Sequence, residues 1–328
     1  MSNNNPHPEE FRPTANWKNL HLRARLLQRV REFFDSRGFL EVETPILSAD
    51  TVVDRHLDPF WIEDDTSSRR LWLQTSPEFA MKRLLASGGE AIYQITRAFR
   101  REERGVMHNP EFTIVEWYRV GDGLKEGMRL LSDLAEATLG RGQAVPISYR
   151  EAFEQYASIN PHKATTEELD RAVRDHGIRP PDGMNPLDLD GRLNLLLVEC
   201  VEKHLGTSSP AILYDYPAGQ AALARIRMDE ADGPVAERFE LYIDGIELAN
   251  GYHELTDADE LRHRNARVNR QRAADGKALL PENSRLLDAM DAGFPSSTGV
   301  ALGFDRLVMV AAGANNIAEV MSFPIDRA

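Results

Sequence analysis

The sequence predicts an α+β fold: an antiparallel sheet of about six strands flanked by helices, in one domain over residues 18–328 behind a mobile tail at 1–17. Three observations carry this. Ala91–Arg119 holds two alternating runs around a charged, Gly-containing linker of about ten residues. Phe239, Leu241 and Ile243 alternate up to Asp244-Gly245, a two-residue hairpin signal, and Ile246 and Leu248 return from it. Between such runs, apolar residues recur at helical spacing, as at Leu22, Leu26, Val30, Phe33 and Phe34.

In chain order, the helix through Leu22–Phe34 stops at Gly38, and a short strand follows, broken by Pro45. Proline cannot donate to a ladder, so this strand is an edge. Residues 50–75 read as further strands and a loop, ending in Leu71-Trp72-Leu73. Thr75 or Ser76 is placed to cap a helix with Pro77 in first position and Gly88-Gly89 at its end. In the hairpin of residues 91–119, Tyr93, Ile95 and Phe99 share one face of the first strand; Phe112, Ile114, Glu116 and Tyr118 share one face of the second, with Val115 and Trp117 opposite. A helix with Leu130, Leu131 and Leu134 ends at Gly140. Residues 146–218 are less patterned, with helices expected near 166–176 and 190–205. Thr256 and Asp259 form a candidate capping box for a largely solvated helix running to about Gly276. Val300, Leu302 and Phe304 alternate into a last helix that ends at Gly313.

Composition narrows the function. A hydrophobic share of 42% supports a large core, and no run of 18 apolar residues is present, so no membrane partner is expected. The N-terminus has no apolar signal region, which points to the cytoplasm. The lone Cys200 excludes an intrachain disulfide and a cysteine-based zinc site, and reads as a buried thiol. A net charge of −13 is unfavourable for a protein whose main task is gripping nucleic acid.

The chemistry-bearing residues cluster in five segments: TSPE (75–78), FRRE to HNPEF (99–112), EWY (116–118), GIELANGYHELTDA (245–258) and GVALGFDR (299–306). Together with the edge strand ending at Pro45, their order resembles the three signature motifs of class II aminoacyl-tRNA synthetases, closest to the catalytic domain of lysyl-tRNA synthetase. The resemblance covers roughly residues 18–328. Two features depart from that synthetase: the roughly 17 residues ahead of the first helix hold no OB-fold anticodon-binding domain, and Ala301 stands where the synthetase typically has glycine. With these departures the chain resembles the elongation factor P–lysine ligase family, stand-alone relatives of the synthetase.

That resemblance implies an ATP-dependent ligase that makes an adenylate of (R)-β-lysine, or of lysine, and passes it to a lysine of elongation factor P. tRNA is then not the expected acceptor, and a homodimer through the first helix and the Pro45 edge is expected. It implies catalytic roles for Arg100 and Arg306. ATP falls to those two arginines with Glu102, His108, Asn109, Phe112, Glu247, Leu248 and Gly303. The amino acid falls to Ser76, Glu78, Glu116, Tyr118, Asn250, Glu254 and Ala301. Mg²⁺ falls to Glu247 with Glu254. Some of these residues have plainer explanations: Glu78 suits the positive end of its helix, Phe112 a core, Arg306 an ion pair, Ala301 simple packing. Seven residues apart on a regular strand, Glu247 and Glu254 face opposite ways, so an irregularity is expected between them, at Asn250-Gly251. A tRNA-charging enzyme and a catalytically dead lysine or ATP sensor are the rival readings.

Overall fold

The first helix, α1 (Trp17–Asp35), opens where the Asn16 side chain accepts from Asn19 N, and the chain leaves it through Gly38 at φ 76°. In the computed structural model, residues 11–64, 69–181, 185 and 188–328 are described. Part of the expected mobile tail, residues 1–10, and residues 65–68 of the expected strand-and-loop stretch lie outside them. The end of that tail is tied down rather than free: Thr14 and Ala15 donate backbone hydrogen bonds to Ser322 and Met321, and Ala15 is buried.

Pro45 splits the expected edge strand in two. β1 (Leu40–Glu41) joins the main sheet, while β2 (Leu47–Ser48) joins β4 (Arg69–Leu73) and β3 (Trp61–Asp64) in a small separate sheet. Next come α2 (Glu78–Ala86) and the hairpin β5 (Ala91–Phe99) and β6 (Glu111–Val120), in register from Ala91 opposite Arg119 to Phe99 opposite Glu111. Then follow α3 (Leu124–Leu139), β7 (Val145–Ser148), α4 (Tyr149–Tyr156), α5 (Thr166–Asp175), α6 (Leu189–Leu196), β8 (Ala211–Pro217), β9 (Ile226–Asp229), β10 (Gly233–Ile243), β11 (Ile246–His253), α7 (Ala258–Ala274), α8 (Arg285–Asp291), β12 (Ser297–Gly303) and α9 (Phe304–Ala312).

The main sheet runs β1-β5-β6-β12-β11-β10-β8-β7, with β9 added beside β10. Its six central strands are antiparallel throughout, as expected. The outermost pairings, β1 with β5 and β7 with β8, are parallel and lay beyond the sequence reading. So did β8, because Asp215 at φ 60° breaks its alternation, and α4, whose eight residues are too few for a clear period. The helix expected near 190–205 is α6 continued through a wide turn at 197–201 and a tight one at 202–204.

One face of the sheet packs against α1, α3 and α9. Phe34 stacks on Tyr93 at 4.6 Å between ring centres and tilts against Trp117 at 5.2 Å. Phe34→Ala is expected to cost about 3–5 kcal/mol of stability, read from the denaturant midpoint, because four rings, those of Phe33, Phe39, Tyr93 and Trp117, would border the cavity left behind. Cys200 is buried among Tyr149, Leu196 and Leu213 in a second cluster, as a structural thiol should be. Two expectations about α7 are corrected. Its cap is Asp257, which accepts from Asp259 N and Glu260 N. The helix is not largely solvated: Asp259, His263, Arg267 and Arg270 are exposed, but Arg264, Asn265, Asn269 and Arg272 are buried, and Arg272, 1% exposed, donates to the carbonyls of Asp54, Leu57 and Ala278 and to the Asp58 carboxylate. Guanidinium donors satisfy a loop whose carbonyls would otherwise be buried without partners.

Candidate active site

The opposite face of the sheet is the floor of a cavity of about 700 Å³. Register sets its tiling. Asn250, Ala301, Glu116 and Gln94 stand in one row across β11, β12, β6 and β5. Tyr252, Gly299, Tyr118 and Ile92 form the next. Because side chains alternate, Phe112 and Ile114 extend the same face along β6, while Val115 and Trp117 enter the core.

The irregularity required between Glu247 and Glu254 is present, at Leu248 rather than at Asn250-Gly251. Tyr242 lies opposite Glu247 and Leu241 opposite Ala249, so Leu248 is the extra residue of a bulge. From Ala249 to His253 the strand pairs regularly with β12. Gly251 serves packing instead: a Cβ there would sit 2.4 Å from the Phe239 ring. The bulge turns Glu247 onto the face of Asn250, Tyr252 and Glu254. Those two carboxylates nonetheless occupy different ends of the cavity, so Glu254 is corrected as a partner of Glu247 in holding a metal.

At the inner end, α2 and β6 bring acids together. Glu116 is buried and accepts from Ser76 Oγ at 2.7 Å and from the Tyr118 hydroxyl at 2.6 Å. Ser76 Oγ in turn accepts from Glu78 N, although the cap position belongs to Pro77. Lys82, one helical turn after Glu78, places its Nζ 2.6 Å from Glu78 Oε1 and 2.6 Å from Glu254 Oε2. Glu254 is 1% exposed, and neither of its oxygens has a partner in hydrogen-bond geometry, Oε2 being held by the ion pair with Lys82. Burial first, then the charge of Glu78, pushes Glu116 up to about 7. Burial likewise pushes Glu254 up to about 8 against the pull of Lys82. For Lys82 burial works downward, but the charges of Glu254 and Glu78 outweigh it and hold the ammonium above its ordinary value.

At the other end are the cations. Arg306, in the first turn of α9, donates to Glu247 O at 2.9 Å and Met107 O at 3.3 Å and contacts His108 Nε2. Burial and the Arg306 charge lower the His108 pKa, which suits a neutral acceptor ring. Gly303 caps α9, and Leu248 presents its backbone across from it. Asp305 fixes this junction: its Oδ2 accepts from Thr113 N at 2.7 Å and its Oδ1 pairs with Arg23 of α1. Arg100 lies 4.9 Å from the Phe112 ring centre and pairs with Glu103 at 3.2 Å. The acid that pairs with Arg100 is Glu103, one residue beyond the expected Glu102. The chain turns tightly at 100–104, so Glu103 is drawn into the cavity and Glu102 is left exposed outside its lining. Asn109 lines the cavity, but its amide is taken up by Glu111 O and Ile325 N, which makes it a brace for the loop.

The structure adds residues that the sequence reading missed. Glu240 shares a face with Glu247, since Tyr242 is opposite Glu247 and Glu240 lies two residues before Tyr242. The Asp244-Gly245 turn carried this signal, because a two-residue hairpin fixes that pairing. Glu240 accepts from the Tyr242 hydroxyl at 2.6 Å, from the Tyr216 hydroxyl and from Arg238. Burial and Glu240 raise Glu247, and burial with Glu247 and Glu240 pushes Glu202 up to about 7. Lys82 and Gly299 were also missed. The i,i+4 spacing of Glu78 and Lys82 was legible, but it reads equally as a surface pair.

The family model "tRNA synthetases class II (D, K and N)" matches residues 9–327. An elongation factor P–(R)-β-lysine ligase of Mannheimia succiniciproducens is 45% identical over 324 residues, covering 98% of this chain and 99% of its own. A ligase of the same name from Salmonella gallinarum is 45% identical over 322 residues, covering 97% and 98%. One from Salmonella arizonae is 44% identical over 322 residues, with the same coverage.

Proposed function

The chain belongs to the class II tRNA synthetases (D, K and N) and to the elongation factor P–(R)-β-lysine ligases among them, and from that premise we propose that it activates (R)-β-lysine with ATP and transfers it to a lysine side chain of elongation factor P. One observation carries this reading: a single cavity joins a buried acidic end, with Glu78, Glu116 and Glu254, to a cationic end, with Arg100 and Arg306. The first suits two ammonium groups and the second suits phosphates. A buried carboxylate contact with an ammonium at 4 Å is worth about 4 kcal/mol before desolvation.

In the first step a carboxylate oxygen of the amino acid attacks the α-phosphorus of ATP. The bond to the bridging oxygen breaks, and pyrophosphate leaves. In the second, a neutral lysine amine of the acceptor attacks the acyl carbon, AMP leaves, and the amine gives up a proton. Arg100 and Arg306 offset charge on the phosphates, Phe112 offers its face to adenine, and Glu116, Glu78 and Glu254 hold the amines. The residues present fit Mg²⁺. Glu240 and Glu247 lie on one face with Glu202 nearby, and Glu247 pairs with Arg306 at 3.6 Å. Among the described residues no group of three or more His, Cys, Asp or Glu has metal-holding geometry, so the ion would take its other ligands from phosphate and water. Bound there, it would neutralise phosphate charge.

The same reading has the enzyme act in the cytoplasm, with elongation factor P rather than tRNA as acceptor. Among the described residues no helix is long and apolar enough to cross a membrane. A homodimer through α1 and the Pro45 edge is supported by the exposed Leu40, Ile46 and Leu47 along that edge, and light scattering measures it. The central test is acceptor choice. Labelled (R)-β-lysine is incubated with ATP, elongation factor P and tRNA; label on the protein supports the reading, and label on tRNA alone refutes it.

A pH dependence follows from the acidic end. Glu116 at about 7 and Glu254 at about 8 are partly protonated near neutrality, whereas a dication binds their ionised forms. Binding therefore releases protons, and kcat/KM for the amino acid should rise from pH 6 to pH 8. For the free protein the sign is opposite. Raised carboxyl pKa values contribute stability below the unfolded value of about 4.3, and that stability is lost as pH rises through about 7–8. A KM that stays flat across the range counts against this assignment.

A further inference from the structure

Lys82 is a buried cation inside the pocket that is to receive cations. It is 2% exposed, its Nζ lies 2.6 Å from both Glu78 and Glu254, and the Tyr118 ring centre is 5.9 Å away. Three elements supply the groups that face it: Glu78 from α2, Glu116 and Tyr118 from β6, and Tyr252 with Glu254 from β11 and the residue after it. With the three glutamates ionised and Lys82 protonated, this end of the cavity carries a formal charge of −2. A diamino acid brings two ammonium groups, so the charges cancel. Without Lys82 the same buried groups would carry −3, and buried charges without partners neutralise themselves by taking up protons.

Resting on the ligase reading above, we propose that Lys82 is a positioning residue that matches the pocket to a diamine: it ties Glu78 to Glu254 by an ion pair to each, offsets part of their charge, and leaves Glu254 Oε1 for the substrate. The geometry supports that division. Neither oxygen meets hydrogen-bond geometry, but Oε2 is ion-paired to Lys82 Nζ at 2.6 Å, whereas Oε1 lies over Gly299, where a Cβ would come within 2.4 Å of it. Lys82 thus acts through the glutamates and does not touch the reacting atoms. Its raised pKa agrees with an ammonium held between two carboxylates.

The test compares wild type, Lys82→Met and Lys82→Arg by pyrophosphate exchange from pH 6 to pH 9, with (R)-β-lysine and ATP varied in turn and folding checked by circular dichroism. For Lys82→Met the expected result is a loss in kcat/KM for the amino acid of at least about 100-fold, mostly in KM, with the KM for ATP unchanged. The acid limb of the pH profile should move up by about one unit or more, because Glu254 has lost its cation. Lys82→Arg, which keeps the charge, should keep the wild-type limb even if its rate is lower. A packing role alone would lower activity without moving the limb, and that outcome overturns the proposal; so does a limb that moves equally in Lys82→Arg. If Lys82→Met does not fold, Lys82→Arg still decides, since a displaced limb there refutes the charge argument. A wild type without lysine-dependent exchange refutes the function reading itself, which separates the two failures.

Discussion

Gly299→Ala is expected to raise the KM for the diamino acid by at least about 100-fold while leaving the KM for ATP unchanged. The methyl would lie 2.1 Å from Tyr118 Cε1 and 2.4 Å from Glu254 Oε1. Neither neighbour can yield. The Tyr118 ring is buried and its hydroxyl is bonded to Glu116, while Glu254 is held by Lys82. The methyl must therefore displace Tyr118 and Glu254, which on the proposed reading hold the amines. The end proposed for the nucleotide, around Arg306 and Phe112, touches neither. Steady-state pyrophosphate exchange with each substrate varied reads both constants, and an unchanged KM for the amino acid contradicts the floor described here. Asn250 and Ala301 lie one row further along the same floor, so the Ala301 side chain borders Glu116 across the strand pair, where a methyl shapes the space beside an amine.

Arg306→Ala is expected to lower kcat for adenylate formation by on the order of 10²–10³. Two losses combine. A cation disappears from the phosphate end, and the fork that ties Met107 and His108 to the β11 backbone is cut. Arg306→Lys should restore little, because one ammonium cannot reach three acceptors spread over two elements. Rapid-quench measurement of adenylate formation separates this from slower transfer. A lysine variant within about threefold of wild type would show that charge alone matters.

Much of this molecule was legible in its sequence. The β5–β6 hairpin followed from alternation, and Val115 and Trp117 reached the core as the period required. Asp244-Gly245 gave the second hairpin, with both residues at positive φ as a two-residue turn demands. The residue types at the site were legible as well, through their resemblance to a family. Several placements were not. Glu102 and Glu103 are adjacent acids, and only the tight turn at 100–104 selects the inner one. The bulge at Leu248 changes which residues share a face, and no periodicity marks a single extra residue.

What the sequence by itself determined is the local part: where strands and helices form, which face of each is apolar, and that a lysine-like amino acid and a nucleotide are the partners to expect. The tertiary structure decided how charges are compensated. Lys82 on α2 meets Glu254 beyond β11, Glu240 joins Glu247 across a hairpin, and Gly299 makes room for Tyr118 from another strand. The physical reason is range. Periodicity reports the surroundings of one element, whereas the state of a buried charge depends on side chains that distant segments bring within about 3–4 Å.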